Sequence, residues 1–382
     1  MSFAVVGSIA FDSIRTPFGE ADRELGGSAT HAALAGSFFT DVRVIGPVGD
    51  DFDDAQYELF EKNEIATDEM VKVRGARTFA WRGHYQYDMN VAHTDATELN
   101  VFDGWQPRLA QESRQADTLF LAAMDPDTQI DVRHQWDGGG WSALDSISYW
   151  IETKRDELIE AIRLVDFVLL NDQEARLLTG KPMLLEAARE IMSWGPLAVV
   201  LKLGEYGCAL LHEEGYFALP GYPLEETRDP TGTGDALAGG FLGYLDRVPG
   251  WRLTPDVLRR ALTYGSVMAS YCAEDFGSRR LRGISDHEVL HRADDFKEMT
   301  HFEHVPTAPR PASLEEAEGK RLAQPNDTPS IRRYGSMGRT AGTQAHRSPQ
   351  RTPSTETLPR PKEPLPRVHP AEIAVPPPHR DG

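Results

Sequence analysis

Short runs dominated by apolar and β-branched residues recur through residues 1–304: Phe3–Ile9, Val42–Ile45, Leu119–Ala122, Phe167–Leu170, Leu197–Leu201 and Cys208–Leu211. Longer stretches with helical periodicity lie between or after them: Ser28–Phe38, Asp53–Asn63, Lys154–Leu164, Leu184–Trp194 and Pro255–Ala273. Apolar runs without polar alternation read as strands buried on both faces. Strands alternating with helices in this way predict an α/β fold with a largely parallel sheet. Sheets of that kind take their ligands at the carboxyl ends of the strands.

Two segments break the rhythm. Residues 13–25 follow the first strand directly, and residues 77–87 (Arg-Thr-Phe-Ala-Trp-Arg-Gly-His-Tyr-Gln-Tyr) alternate like a strand with one apolar face. Together they predict a small β flap able to cover a site; an ordinary edge hairpin fits the same residues. A third segment, Trp136–Ser142, is glycine-rich and polar where a strand is expected, and suggests no function.

Composition changes near residue 305. The stretch 305–382 holds 15 of the 26 prolines and few large apolar residues. Segments such as Pro359–Pro366 and Pro376–Pro378 cannot form a packed core or a regular helix. This stretch reads as a disordered, polyproline-like tail, leaving 1–304 as the folded domain. A dispensable tail is the simpler reading, against partner docking or phosphorylation near Ser336.

The formal net charge of −19 disfavours nucleic acid and anionic membranes as partners. Two cysteines, Cys208 and Cys272, supply no disulfide framework and suit a reducing compartment. The N-terminus lacks a basic region and meets Asp12 early, unlike a signal peptide. No apolar run approaches the ~20 residues of a membrane helix. A cytoplasmic protein is expected.

The stretch Asp229-Pro-Thr-Gly-Thr-Gly-Asp235, followed by Ala236–Gly240, carries the chemistry. A glycine-flanked helix start leaves amide N–H groups unpaired and adds the positive end of the helix dipole. That is a pocket for phosphate. Asp235 sits where a general base would be wanted. No P-loop lysine follows, and Leu237 stands where a dinucleotide fingerprint needs its third glycine. A plain glycine-rich turn before a packed helix also fits these residues alone.

Asp229–Gly240 resembles the C-terminal signature of the ribokinase-like (PfkB) family of sugar and nucleoside kinases, roughly D-T-x-G-A-G-D-x-F-x-G-G. Pro230, Thr233 and Leu237 depart from it, and none removes a backbone donor of the anion hole. Asn171-Asp-Gln-Glu174 resembles the family's N-x-x-E motif, which positions magnesium and phosphate. Lys202-Leu-Gly-Glu-Tyr-Gly207 resembles its nucleotide-contacting turn. Gly7–Asp12 resembles the first strand, ending on a substrate-binding aspartate. Gly26-Gly-Ser-Ala-Thr-His31 resembles the substrate diglycine motif, and Val48–Asp51 the family's G-x-D turn. Residues 13–25 and 77–100 fall where the family carries a β lid that pairs between subunits in many members. The resemblance spans 1–304.

What it implies is a three-layer α/β/α fold with a mainly parallel central sheet and a β lid. It also implies transfer of phosphate from ATP to a hydroxyl of a sugar or sugar-like molecule. Asp235 would be the base, with Gly232, Thr233 and Gly234 as the anion hole. Asp12, Gly26, Gly27 and His31 would hold the acceptor. Asn171, Lys202, Gly204 and Gly207 would meet the nucleotide, whose adenine would lie near Tyr264–Met268. Glu174 would organise Mg2+, and Asp229 and Thr231 match positions that bind a monovalent cation such as K+. A homodimer through the lid is consistent with the family. Ribokinases usually carry asparagine at the positions of Ala10 and His31 and lysine at Ser28, so ribose is disfavoured as acceptor and a nucleoside such as adenosine is the main alternative. A satisfied helix histidine is an equal reading of His31. A non-catalytic sugar or nucleotide sensor is the competing class, but the base, the anion-hole glycines, Asn171 and Glu174 are all present. The scattered histidines, including His301 and His304, do not form a metal site.

Overall fold

The computed structural model describes residues 1–301 of the chain. The proline-rich segment expected to be disordered lies outside the described residues.

The chain begins with β1 (Ser2–Val6), and passes through β2 (Ala10–Thr16) and β3 (Gly19–Gly26) to helix α1 (Ser28–Gly36) and β4 (Asp41–Val48). Helix α2 (Asp54–Lys62), the short strands β5 (Ile65–Ala66) and β6 (Met70–Lys72), and the hairpin β7 (Phe79–Tyr85) and β8 (Ala92–Glu98) follow. Then come α3 (Gln111–Arg114), β9 (Thr118–Leu121), α4 (Pro126–Gln135), β10 (Ser142–Asp145), α5 (Ser148–Thr153) and α6 (Arg155–Arg163). The next elements are β11 (Phe167–Asn171), α7 (Asp172–Thr179), α8 (Leu184–Ser193), β12 (Ala198–Lys202), β13 (Cys208–His212) and β14 (Gly215–Leu219). Three helices complete the described chain: α9 (Thr233–Asp246), α10 (Pro255–Cys272) and α11 (Asp286–Thr300).

Ten strands form the central sheet, in the order β14-β13-β12-β11-β10-β9-β1-β4-β5, with β6 also on β4. Only the β12–β13 and β13–β14 pairings are antiparallel. The continuous apolar runs follow from burial on both faces. On β1, Phe3 and Val5 pack to one side while Ala4 and Val6 pack to the other. On β11, Phe167 and Leu169 divide from Val168 and Leu170 in the same way. Helices α1, α9 and α10 cover the first side, and α4, α6, α7 and α8 the second. Burial of each such side chain is worth about 1.5–3 kcal/mol, so these strands form the middle of a three-layer α/β/α body.

The run Ala236–Gly240, read as part of the phosphate motif, also has a packing role. A β-carbon on Gly239 would stand 2.1 Å from the Ala32 carbonyl oxygen, and one on Gly243 would stand 3.0 Å from that of Gly36. Small residues let α9 lie backbone to backbone against α1 and so place its first turn.

A second sheet of four strands, in the order β3-β2-β7-β8, forms the flap. β2 and β7 run parallel, although 62 residues of chain intervene between Thr16 and Phe79. Its apolar face gathers Ile14, Ala21, Trp81 and Tyr85 around Phe276. Contrary to the expectation that Asp12 ends the first strand, that strand stops at Val6 and Asp12 belongs to the flap strand β2. Gly7 and Ser8 stop β1: a β-carbon on Gly7 would stand 2.7 Å from that of Ala122, and Ser8 pairs with the start of α1. The glycine-rich stretch before Ser142 is a loop, held by the Trp136 indole donating to the Ala116 carbonyl at 2.8 Å.

Candidate active site

The carboxyl ends of β10, β11 and β12 and the amino end of α9 converge on one cluster. Each strand ends on a polar side chain: Asp145, Asn171 and Lys202. Gly232 begins α9 in the left-handed conformation (φ 78°), which glycine adopts at least cost. The His31 ring fills the place its side chain would need, since a β-carbon there would stand 2.5 Å from ring atoms. The Thr233 amide is bonded to the Pro230 carbonyl at 3.3 Å, while the Gly234 and Asp235 amides meet no acceptor among the described residues. Two free N–H groups at the positive end of a 14-residue helix make an anion-binding turn.

Asp235 lies in the first turn of α9 and accepts no hydrogen bond among the described residues. Burial, and then the neighbouring Asp145, push its carboxyl up to about 7; the Lys202 ammonium opposes the rise. A carboxylate so placed is poised to take a proton near neutral pH.

Asn171 and Glu174 form a reciprocal cap on α7. The Glu174 amide donates to Asn171 Oδ1 at 2.8 Å, and the Asn171 amide to Glu174 Oε2 at 2.7 Å. The capping reading and the site reading therefore hold together. The cap fixes both side chains at the strand end and leaves Glu174 Oε1 and Asn171 Nδ2 without a hydrogen-bond partner among the described residues. Burial pushes the Glu174 carboxyl up to about 7, against the pull of Lys202. Asp145 pairs with the Lys202 ammonium, and Glu174 and Asp235 act on it electrostatically, an excess of acid over the one lysine. Among the described residues, no group of three or more His, Cys, Asp or Glu could itself hold a metal ion. A cation here would therefore complete its shell with water and phosphate, as Mg2+ does.

Asp12 faces the same space from the flap. It is 4 % exposed and accepts the Gly27 amide at 3.3 Å. Burial raises its carboxyl to about 7, followed by the nearby charge of Asp229, and Asp235 acts in the same sense. The diglycine is required by space. A β-carbon on Gly26 would stand 2.0 Å from Asp12 Oδ2, and one on Gly27, at φ 92°, would stand 2.5 Å from the Ser8 carbonyl oxygen. His31 is 1 % exposed. Its Nδ1 lies 3.0 Å from the Gly27 carbonyl, so Nδ1 carries the proton and Nε2 is left without a partner. Burial lowers its pKa to about 4, which keeps it neutral.

Asp229 is fully buried and accepts the Thr231 amide at 2.9 Å and the Gly277 amide at 2.8 Å. It ties the anion-binding loop to the chain beyond α10. Thr231 Oγ1 lies 3.1 Å from the Tyr85 hydroxyl of the flap. Gly204 and Gly207 shape the β12–β13 turn with φ of 59° and 100°. The flap reaches this turn too: Asn90 Nδ2 donates to Glu205 Oε1 at 2.8 Å, and the Glu205 amide donates to Asn90 Oδ1 at 3.2 Å. Tyr264–Met268 lies within α10, with Gly265 close against α9.

Sequence reasoning missed Asp145, Tyr85 and Asn90. Asp145 had a signal: Ala143-Leu144-Asp145 repeats the form of Leu170-Asn171 and Leu201-Lys202, an apolar run ending on a polar residue. Tyr85 and Asn90 had none, because their partners lie more than a hundred residues away.

Comparison with known proteins shows the family and the fold. The chain matches the pfkB family of carbohydrate kinases over residues 4–281. It is 30 % identical over 258 residues to a cytidine kinase of Thermococcus kodakarensis, covering 65 % of this chain and 89 % of that protein. A nucleoside kinase of Burkholderia thailandensis solved with inosine superposes with a TM-score of 0.63 at 20 % identity, over 77 % of this chain and 98 % of that one. A fructokinase of Vibrio cholerae bound to fructose, ADP and calcium superposes with a TM-score of 0.64 at 17 % identity, over 76 % and 98 %. No helix among the described residues is long and apolar enough to cross a membrane.

Proposed function

We propose that this chain, which belongs to the pfkB family of carbohydrate kinases, transfers the γ-phosphoryl group of ATP to a primary hydroxyl of a nucleoside, with Asp235 as base. The observation that carries the chemistry is one side chain beside one helix end: a hydrogen-bond-free carboxyl, raised to about 7, next to two free amides. Asp235 accepts the proton of the attacking hydroxyl. The Gly234 and Asp235 amides hold charge on the transferring group, and Gly232 and Thr233 shape the turn that presents them. Catalysis of this kind is chiefly positioning and electrostatics.

Asp12 and the Gly26-Gly27 backbone hold hydroxyls of the acceptor, and His31 supports the loop with its ring. The 30 % identity to a cytidine kinase favours a nucleoside; a free sugar is the alternative. Lys202, Gly204 and Gly207 take the nucleotide side, with the adenine near Tyr264–Met268. Glu174 and Asn171 would hold Mg2+ through water, and the ion would neutralise phosphate charge. Asp229 and Thr231 would serve a monovalent cation such as K+ through the loop oxygens they order. The flap covers the site and excludes water. A cytoplasmic setting supplies ATP and suits two buried free thiols. A lid-mediated homodimer would use β8, an edge strand exposed along most of its length; sedimentation as a monomer at every concentration tested would remove it.

The deciding experiment is an ADP-release screen over nucleosides, sugars and sugar phosphates. Turnover with a nucleoside is expected. Turnover with sugars alone selects the alternative acceptor, and turnover with nothing in the panel points to a sensor.

A further inference from the structure

Lys202 occupies an unusual position. Its Nζ lies 2.5 Å from Asp145 Oδ2, an ion pair whose side chains are 16 % and 3 % exposed. The same nitrogen lies 3.2 Å from where a β-carbon on Gly234 would stand. Gly234 has no positive φ, so its backbone does not demand glycine. What a side chain at 234 would disturb is the approach of this ammonium to the anion-binding turn. Lys202 donates one proton to Asp145, and its other two meet no acceptor among the described residues.

Taking a lysine and a carboxylate out of water is costly, and such pairs rarely raise stability over apolar replacements. The charges around the pair point elsewhere. Glu174 and Asp235 both act on Lys202, and together with Asp145 they hold its ammonium firmly charged despite burial. A charged, under-bonded ammonium beside two free amides lacks one thing, an anion.

We propose that Lys202 is a catalytic cation that contacts the transferring phosphoryl group, and that Asp145 is the positioning residue that holds it against α9. This rests on the kinase reading and goes beyond it, because general contact with the nucleotide does not require the lysine to favour the γ-phosphoryl. In the step, the acceptor oxygen bonds to the γ-phosphorus as the bond from that phosphorus to the β–γ bridging oxygen breaks. The bridging oxygen keeps the electron pair and leaves in ADP, and the acceptor proton passes to Asp235. Lys202 gains or loses no proton; it stabilises charge on the group in transit.

The test compares wild type with Lys202→Met, Asp145→Asn and the double variant. Binding of ADP and of β,γ-imido ATP is measured by calorimetry, and turnover with the acceptor found in the screen. Lys202→Met is expected to lower kcat by about 100-fold or more with little change in acceptor KM. It should weaken imido-ATP by about tenfold or more while ADP affinity holds. Asp145→Asn should lower kcat less, and the double variant should be no worse than Lys202→Met alone, because both act through one ammonium. Removing both charges also avoids a lone buried carboxylate, so the double variant keeps the question answerable where Lys202→Met fails to fold. Equal losses for ADP and imido-ATP, an unchanged kcat, or additive losses in the double variant overturn the proposal. The binding ratio needs no acceptor, so it decides on Lys202 even where the acceptor panel fails.

Discussion

Asp12, Glu174 and Asp235 are all carboxyl groups held near 7 by burial, and this has two opposite consequences. For catalysis, Asp235 must be ionised to accept a proton, so kcat/KM should rise from about pH 6 to about pH 8. A flat or falling profile across that range would contradict the assignment of the base. For stability, the folded chain keeps protons that the unfolded chain releases near about pH 4. The folded state thus binds more protons between about pH 4 and pH 7, and stability falls as pH rises through that window. Asp235→Asn should relieve part of this cost. Its Tm at about pH 8 should rise by about 2–4 °C per ~1 kcal/mol recovered while turnover is lost; a lower Tm would show that the charged form is stabilised after all. Most of these residues were legible in the chain because each lies in a short local motif. Asp145 carries only the weaker signal of a strand ending on a polar residue, since its importance comes from Lys202, 57 residues away.

At the scale of elements, the buried strands were legible because both faces of β1, β4, β9, β11 and β12 demand apolar side chains. β10 was obscured by the glycine-rich loop before it. Its register is set from outside, by Asp166 accepting from both the amide and the hydroxyl of Ser142. The boundary between β1 and β2 was misjudged for a related reason: Gly7–Ile9 is apolar enough to continue a strand, and the turn is imposed by close approach to Ala122 and α1. The α1–α9 contact carries its own prediction. Gly239→Ala puts a methyl 2.1 Å from the Ala32 carbonyl oxygen. It should cost about 1–3 kcal/mol in urea denaturation and lower kcat by tilting the first turn of α9. Unchanged stability and kcat would mean that this helix pair tolerates movement the packing does not suggest.

Over the whole molecule, the flap bridges the two sides of the site. Tyr85 touches the loop before α9 at Thr231, and Asn90 touches the β12–β13 turn at Glu205. No local pattern announces such contacts, because they exist only once the flap strands lie over the central sheet. The first is one hydrogen bond and the second a pair, each bond worth about 0.5–1.5 kcal/mol. Asn90→Ala should therefore leave the fold intact, raise acceptor KM a few-fold and increase ATP hydrolysis without acceptor, as water enters an incompletely covered site. An unchanged ratio of hydrolysis to transfer would separate the flap tip from water exclusion.

As proposed, Asp235 takes the acceptor's proton during phosphoryl transfer from ATP to a nucleoside. Mass spectrometry of a nucleoside panel incubated with ATP and Mg2+, for wild type against Asp235→Asn, checks this. Wild type should yield a phosphorylated nucleoside and the variant none, although the variant should still bind ATP. Equal product from both proteins, or no phosphorylated nucleoside from wild type, would contradict it.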